Sequence, residues 1–317
     1  MAQRAYEFLL SSFWDQENQG VFFTLDHQGK VINANKKIYM QAFSIYALTE
    51  YYLATGNTDS LNKAIELFNL IEEKSYDAVN KSYYEDFSGD WTKDTSSSDP
   101  FQSKSMNTQM HVLEAYTNLY AAWKNDLLAE KLKELLFVIK EKIVNKETHH
   151  LFLSFDQDWH PENGDFYFGL DIKSSWLLSR AADVLENQDL VKEIHALSIR
   201  MAEAVLRDGQ DKDGGLFYKG NGGSILDNDK YWWPQAEGLV GFMNAYQLSG
   251  ENRFLTATKK LWSFLEEYII DQKGHEWFSK VYDTEIARAE DLKASSGKCP
   301  YHNGRACLEL IQRMENL

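Results

Sequence analysis

The chain has 317 residues, with 33 Lys and Arg against 48 Asp and Glu, a formal charge of −15, and it is 44% hydrophobic and 14% aromatic. This composition supports a large core and argues against disorder. The acidic balance argues against nucleic acid or an anionic membrane surface as partner. No run approaches the length of a membrane span. The opening MAQRAYEFLL lacks a basic segment followed by an apolar run, so no signal peptide is expected. Cys299 and Cys307 sit two turns apart on one predicted helix, ~11 Å by helical rise, too far to bridge. They read as reduced thiols, which points to the cytoplasm. There is no zinc-spaced Cys/His cluster and no HExxH, so no metal or cofactor is expected.

In chain order, residues 2–13 read as a helix, Gly20 to Asp26 as a short strand-like piece and Asn33 to Asn35 as a turn. A strong helix follows over 36–54 and stops at Gly56-Asn57. The next, 59–74, places Leu61, Ala64, Leu67, Phe68 and Ile71 on one face. A long loop carries Tyr83, Tyr84, Phe87 and Trp91. The cycle then recurs, with helices over 104–123 and 127–144, 168–185 and 188–207, and 232–248 and 251–270, each pair followed by an aromatic-bearing loop. A last helix covers 300–314. The first helices of the pairs begin near 36, 104, 168, 232 and 300, at intervals of 64 to 68 residues.

So regular a period predicts a repeat of helical hairpins joined by long loops. The first helix of each pair is apolar nearly all round and the second is amphipathic, so the first belongs inside and the second outside. Alternation of the two predicts an all-α, (α/α)6-type toroid in one domain spanning 1–317. Five inner helices are recognisable where six are needed, so the first helix pair is expected to be lacking. Apolar flanks of helices 36–54 and 300–314 would then be exposed, which suits a homodimer.

Polar and aromatic groups crowd the starts of the inner helices: Tyr39 and Gln41; Asn107 and His111; Asp171, Lys173 and Trp176; Trp232, Trp233, Gln235 and Glu237; Tyr301, His302, Asn303 and Arg305. Parallel inner helices bring such starts to one funnel, with flat aromatic faces and a few polar groups that suit a mono- or disaccharide. Each residue also has a plainer reading. His111 alone fits a satisfied core histidine, Arg305 with Glu309 an i,i+4 surface pair, and Lys173 a snorkelling side chain. His27, His149, His150, His160 and His275 fall in loops and are given no chemistry. His195 lies on an amphipathic helix and reads as structural.

The stretches KKIYMQAFSIYALTEYY (36–52), MNTQMHVLEAYTNLY (106–120), FGLDIKSSWLLSRAADVL (168–185), WWPQAEGLVGFMNAYQLSG (232–250) and KCPYHNGRACLEL (298–310) resemble the N-acylglucosamine 2-epimerase superfamily, most closely its cellobiose 2-epimerase branch. The resemblance implies an (α/α)6 barrel and a metal-free isomerase acting on the reducing-end sugar. A base removes the proton at C2 to give a cis-enediolate, and two histidines flank C2. On that resemblance His302 is one of the paired acid/base histidines and His111 the histidine that assists ring opening. Trp176 and Trp233 contact substrate and Glu237 is the pocket glutamate. From their places at the helix starts, Tyr39, Asn107, Asp171, Trp232 and Arg305 are expected to complete the binding surface. The chain also departs from the pattern. Where the family has Gly-His-Asp-Ile-Glu, residues 169–173 are Gly-Leu-Asp-Ile-Lys. Leu170 therefore stands where the second acid/base histidine is expected, Lys173 where a glutamate is, and Gly297 where a tryptophan is. Impaired or absent activity is the expectation, with an inactive carbohydrate-binding protein as the alternative.

Overall fold

The computed structural model describes residues 1–93, 104–282, 292–295 and 297–315. Among these, ten α-helices follow the predicted periodicity closely: α1 (Ala2–Phe8), α2 (Ile38–Thr55), α3 (Thr58–Lys74), α4 (Met106–Ala122), α5 (Asp126–Val138), α6 (Phe168–Val184), α7 (Gln188–Asp208), α8 (Trp232–Ser249), α9 (Asn252–Phe264) and α10 (Tyr301–Glu315). The local signals that delimit them are physical. Asn57, Asn125 and Asn187 each accept a bond from a backbone N–H in the first turn of α3, α5 and α7, satisfying a donor that helix geometry leaves open. Gly56 and Gly250 take the left-handed conformation that ends α2 and α8. Three amphipathic helices continue into a π turn, at Leu9–Phe13, Ile139–Ile143 and Leu265–Ile269. The expected turn at Asn33–Asn35 begins inside a ladder, since Val31–Asn33 pairs antiparallel with Thr24–Leu25.

The chain packs as two compact units, Met1–Ile143 with Leu153–Asn163 and Asp183–Leu185, and Val144–Phe152 with Gly164–Ala182 and Glu186–Leu317. In the first, α2 packs against both α3 and α4; in the second, α8 packs against α7, α9 and α10. The buried helices are those expected. α4, α6 and α8 bury residues on every face, among them Tyr116, Trp176 and Phe242. α10 departs from that expectation. It buries only Asn303, Ala306 and Leu310 and leaves Leu308, Ile311 and Met314 exposed.

One device recurs at the helix starts. The amide of Gln41 in α2 closes on Val21, its Oε1 accepting from the Val21 N–H and its Nε2 donating to the Val21 carbonyl, each at 2.8 Å. Gln109 in α4 does the same to Tyr83, at 3.0 and 2.8 Å, and Gln235 in α8 to Leu216, at 2.7 and 2.9 Å. All three amides are fully buried. Each thereby ties a loop's backbone to the start of the next buried helix and satisfies groups that could find no water. Gln41 and Gln235, which the sequence suggested for a funnel, therefore hold the scaffold.

Replacing Gln235 by Met keeps the volume but leaves the Leu216 N–H and carbonyl unpaired. This should cost about 2–6 kcal/mol of unfolding free energy, at about 1–3 kcal/mol per buried orphan group. Urea titration checks it, and an unchanged midpoint would show that the clamp contributes nothing.

Candidate functional site

Two residues beyond Gln41, Gln109 and Gln235, and beyond Asp171 and Asn303 at the corresponding places in α6 and α10, stand Phe43, His111, Glu237, Lys173 and Arg305. The offset is half a turn of helix, so the clamp residue faces the loop and the second residue faces away from it. In the second unit this arrangement assembles a charged cluster around Glu237.

Glu237 is 1% exposed, and both carboxylate oxygens are used. Oε1 accepts from His302 Nδ1 and from Arg305 Nη2, each at 2.6 Å. Oε2 accepts from Trp176 Nε1 at 3.0 Å. Burial pushes the carboxyl's pKa up, but the Arg305 charge, the His302 hydrogen bond and the positive charge of Lys173 outweigh it and hold the group at about 2. Glu237 is therefore an anion at any physiological pH and can only accept. It follows that His302 carries its proton on Nδ1. Burial lowers the His302 pKa, Glu237 works against that, and Lys173 and Arg305 add to the lowering, so the ring titrates below an ordinary histidine. At neutral pH it is neutral, with an unprotonated Nε2. A carboxylate that orients an imidazole in this way leaves a base of fixed tautomer.

The surroundings are aromatic and cationic. Trp233 is tilted against the His302 ring at 5.6 Å between centroids, and Tyr301 lies edge-on at 4.6 Å. The Arg305 guanidinium sits over the rings of Trp176 and Tyr301, at 4.8 and 4.4 Å. Arg305 Nη1 and Lys173 Nζ both donate to the Tyr301 hydroxyl at 3.1 Å. Gly169 makes room for Trp233, since a Cβ there would lie 2.4 Å from its ring.

Several expectations change on this geometry. Arg305 pairs with Glu237 rather than with Glu309, which instead takes Arg180 at 2.8 Å. Lys173 is buried, 4% exposed, rather than snorkelling. Trp176 is fully buried, so it fixes Glu237 and has no face to offer a sugar. Asp171 is also fully buried and turned out of the cluster, with its oxygens taken by the Leu151 N–H at 2.9 Å and by His150 Nδ1 at 2.7 Å. Trp232 is 8% exposed beneath Lys298, and its Nε1 has no partner among the described residues. Of the pair, Trp233 is the one left half-buried. His150, given no chemistry on sequence grounds, is a buried ion-pair partner. Tyr301 and Lys173 join the cluster without having been named as binding residues.

The first unit holds a second group. The His111 ring lies 4.5 Å from Phe43 and 6.3 Å from Tyr39, with Nδ1 3.2 Å from Glu114 Oε2. Asn107 lies four residues before His111, in the first turn of α4. Both cysteines are free, Cys299 exposed and Cys307 half-buried. No helix among the described residues is long and apolar enough to cross a membrane.

Changing Glu237 to Gln removes the charge that favours protonation of His302, so the imidazole should titrate still lower than in the native protein, as read from its NMR ring signals. The variant also loses the stability that the Glu237 carboxylate supplies. In the native protein that contribution is complete above the ordinary carboxylate range and is lost only as pH falls towards about 2. Gly169 to Ala should displace Trp233 and shift its fluorescence while leaving the His302 titration in place; unchanged emission would refute the packing argument.

Comparison with known proteins agrees with this architecture. The family model described as N-acylglucosamine 2-epimerase (GlcNAc 2-epimerase) matches residues 1–306. Cellobiose 2-epimerase of Dictyoglomus turgidum is 38% identical over 318 residues, covering 99% of this chain and 80% of the relative. That of Bacteroides fragilis is 38% identical, covering 98% and 80%. The solved cellobiose 2-epimerase of Bacillus thermoamylovorans superposes with a TM-score of 0.92 at 34% identity, covering 98% of this chain and 80% of that one. The fold is thus the (α/α)6 barrel type of those enzymes. The chain belongs to the N-acylglucosamine 2-epimerase family of sugar epimerases.

Proposed function

We propose that this protein takes the reducing end of a mono- or disaccharide and that His302 is its one proton carrier at C2. The observation that carries this reading is the Glu237–His302 pair, which leaves a neutral imidazole with Nε2 unprotonated. In the open-chain aldose the C2 proton is acidified by the C1 carbonyl. His302 Nε2 takes that proton, the C2–H electron pair forms the C1–C2 double bond, and negative charge moves onto O1 of a cis-enediolate. Arg305 and Lys173 supply the positive field for that oxygen. The relatives' printed activity, cellobiose 2-epimerisation, is carried over as the substrate class. His111 is assigned the ring-opening step, with Tyr39 and Asn107 beside it in the binding surface.

Epimerisation needs the proton to return to the opposite face of C2. Leu170 stands where the resemblance calls for a second histidine, and a leucine side chain cannot donate a proton. Removing a positioned acid or base costs ~10²–10⁴-fold in rate. His302 can still return the proton on the face it left, to C2, giving unchanged aldose, or to C1, giving ketose once the O2 proton has passed to O1. The function proposed is therefore a weak aldose–ketose isomerase with impaired epimerisation. The second reading, a carbohydrate-binding protein without turnover, is favoured by Lys173, since a cation beside Glu237 lowers the basicity of His302 further.

Incubation with cellobiose, mannose and N-acetylmannosamine in heavy water, followed by NMR, separates the two. The proposal expects slow deuteration at C2, more ketose than epimer, and loss of both with His302→Ala. Leu170→His combined with Lys173→Glu should raise the share of epimer at least tenfold, by the ~10²-fold lower bound for a proton carrier. No deuteration together with saturable quenching of tryptophan fluorescence by sugar would establish binding without turnover.

A further inference from the structure

The loop-to-helix junctions repeat more than the glutamine clamp. At three of them a lysine six residues or fewer before the helix interior meets an aspartate of the preceding loop. Lys36 bonds Asp15 at 2.7 Å, Lys104 lies 3.7 Å from Asp77, and Lys230 bonds Asp211 at 2.6 Å. All three lysines are buried. At the last junction Lys298 takes Glu276 at 3.2 Å, and Asn303 donates to the same oxygen at 3.0 Å. Each of these junctions thus holds a buried lysine against a carboxylate of the loop; burial weakens the hold of Lys36 and Lys104 on their protons, and the facing aspartates work against that.

The third junction exchanges every member of this set. Asn145 occupies the position of the loop aspartate, Phe166 that of the lysine and Asp171 that of the glutamine. Asn145 and the aspartates are equivalent by backbone bonding, since the Asn145 N–H donates to the His150 carbonyl just as that of Asp15 donates to Gly20. The missing cation is supplied by His150, 3% exposed and stacked on Phe166 at 3.7 Å and 2°. Its Nδ1 lies 2.7 Å from Asp171 Oδ2 and its Nε2 3.1 Å from Asp208 Oδ2. A ring set between two carboxylates in this way is placed to carry a proton on each nitrogen and donate to both.

We propose that His150 is a positioning residue for α6, and that its second proton makes the start of α6, with Lys173 and Trp176, sensitive to pH. The charged groups facing it come from each packed element. Asp171 faces it from α6. Asp208 faces it from α7, itself held by Arg207 at 2.8 Å. Its neighbour His149 meets Arg200 at 3.1 Å, with Glu203 nearby. Burial lowers the affinity of His150 for its proton, but Asp171 and Asp208 more than restore it, and burial pushes Asp171 the same way. The pair therefore keeps its proton to higher pH than a free histidine. The stability it confers is complete below the ordinary histidine value, ~6.5, and is lost as pH rises through the folded-state value.

The inference requires no sugar chemistry, and its test uses none. Histidine-labelled NMR should show His150 titrating above an ordinary histidine. Hydrogen exchange, corrected for intrinsic rates, should show residues 166–176 losing protection about tenfold or more across that titration, with the start of α8 unchanged. The variant Asn145→Asp, His150→Ser, Phe166→Lys, Asp171→Gln imports the four residues of the second junction (Asp77, Ser82, Lys104 and Gln109) and should make α6 protection flat with pH. A purely structural histidine would shift protection equally at every pH. The proposal is overturned by a His150 titration at or below the ordinary value, by flat α6 protection in the native protein, or by a pH response that survives in the folded variant. Should the variant not fold, the native titration and exchange decide alone.

Discussion

A side-chain amide holding one backbone unit by both its N–H and its carbonyl is the constraint on which the local architecture rests. Gln41, Gln109 and Gln235 each make that pair of bonds in full burial. A loop that approaches a buried helix brings peptide groups into a place without water, and each would cost about 1–3 kcal/mol unpaired. Glutamine has one donor face and one acceptor spaced for a peptide unit, and it stays neutral at every pH. The clamp therefore fixes which residue begins each helix turn. Once that is fixed, the residue two positions later is fixed as well, and at Glu237 that residue is the centre of the charged cluster.

The cluster itself is held by complementary charge rather than by apolar packing. Glu237 is buried beyond the reach of water, and burial alone would neutralise it. It stays ionised because Arg305, His302 and Trp176 occupy its lone pairs. Arg305 is in turn boxed between the faces of Trp176 and Tyr301, which restrict the fork to one orientation. Breaking any one member leaves the others as uncompensated buried charge, the costly case for such pairs. The group therefore positions the His302 ring far more narrowly than a single hydrogen bond would.

Much of the fold was legible because hydrophobic periodicity, asparagine caps and terminal glycines are local signals. The ten predicted helices match α1–α10 to within two residues at each end once the π turns that extend α1, α5 and α9 are counted. The cluster was half legible. Crowding of polar groups at helix starts pointed to Glu237, His302 and Arg305, but it could not separate residues facing a loop from residues facing a site. Gln41, Gln235 and Asp171 belong to the first kind. The separating signal was present in the repeat itself: aligned on Gln41, Gln109, Asp171, Gln235 and Asn303, the chain shows ionisable groups two residues later at His111, Lys173, Glu237 and Arg305. Trp176 and His150 were beyond such reasoning. A tryptophan's burial and a loop histidine's two carboxylate partners depend on tertiary packing, which no spacing along the chain encodes.

The departures from the repeat and from the family pattern fall on the same helix. Asp171 changes the clamp, and Leu170 and Lys173 stand on either side of it. Lys173 brings a positive charge to the cluster. Its charge helps hold Glu237 down near 2 and lowers the proton affinity of His302. A base with a depressed pKa is unprotonated over a wider pH range, yet each proton it takes is held less firmly. The charge on α6 thus acts on His302 directly through space, and on Glu237 as well. In a cluster of this kind, one charge on a neighbouring helix tunes the base against the residue bonded to it, whose effect is the larger of the two.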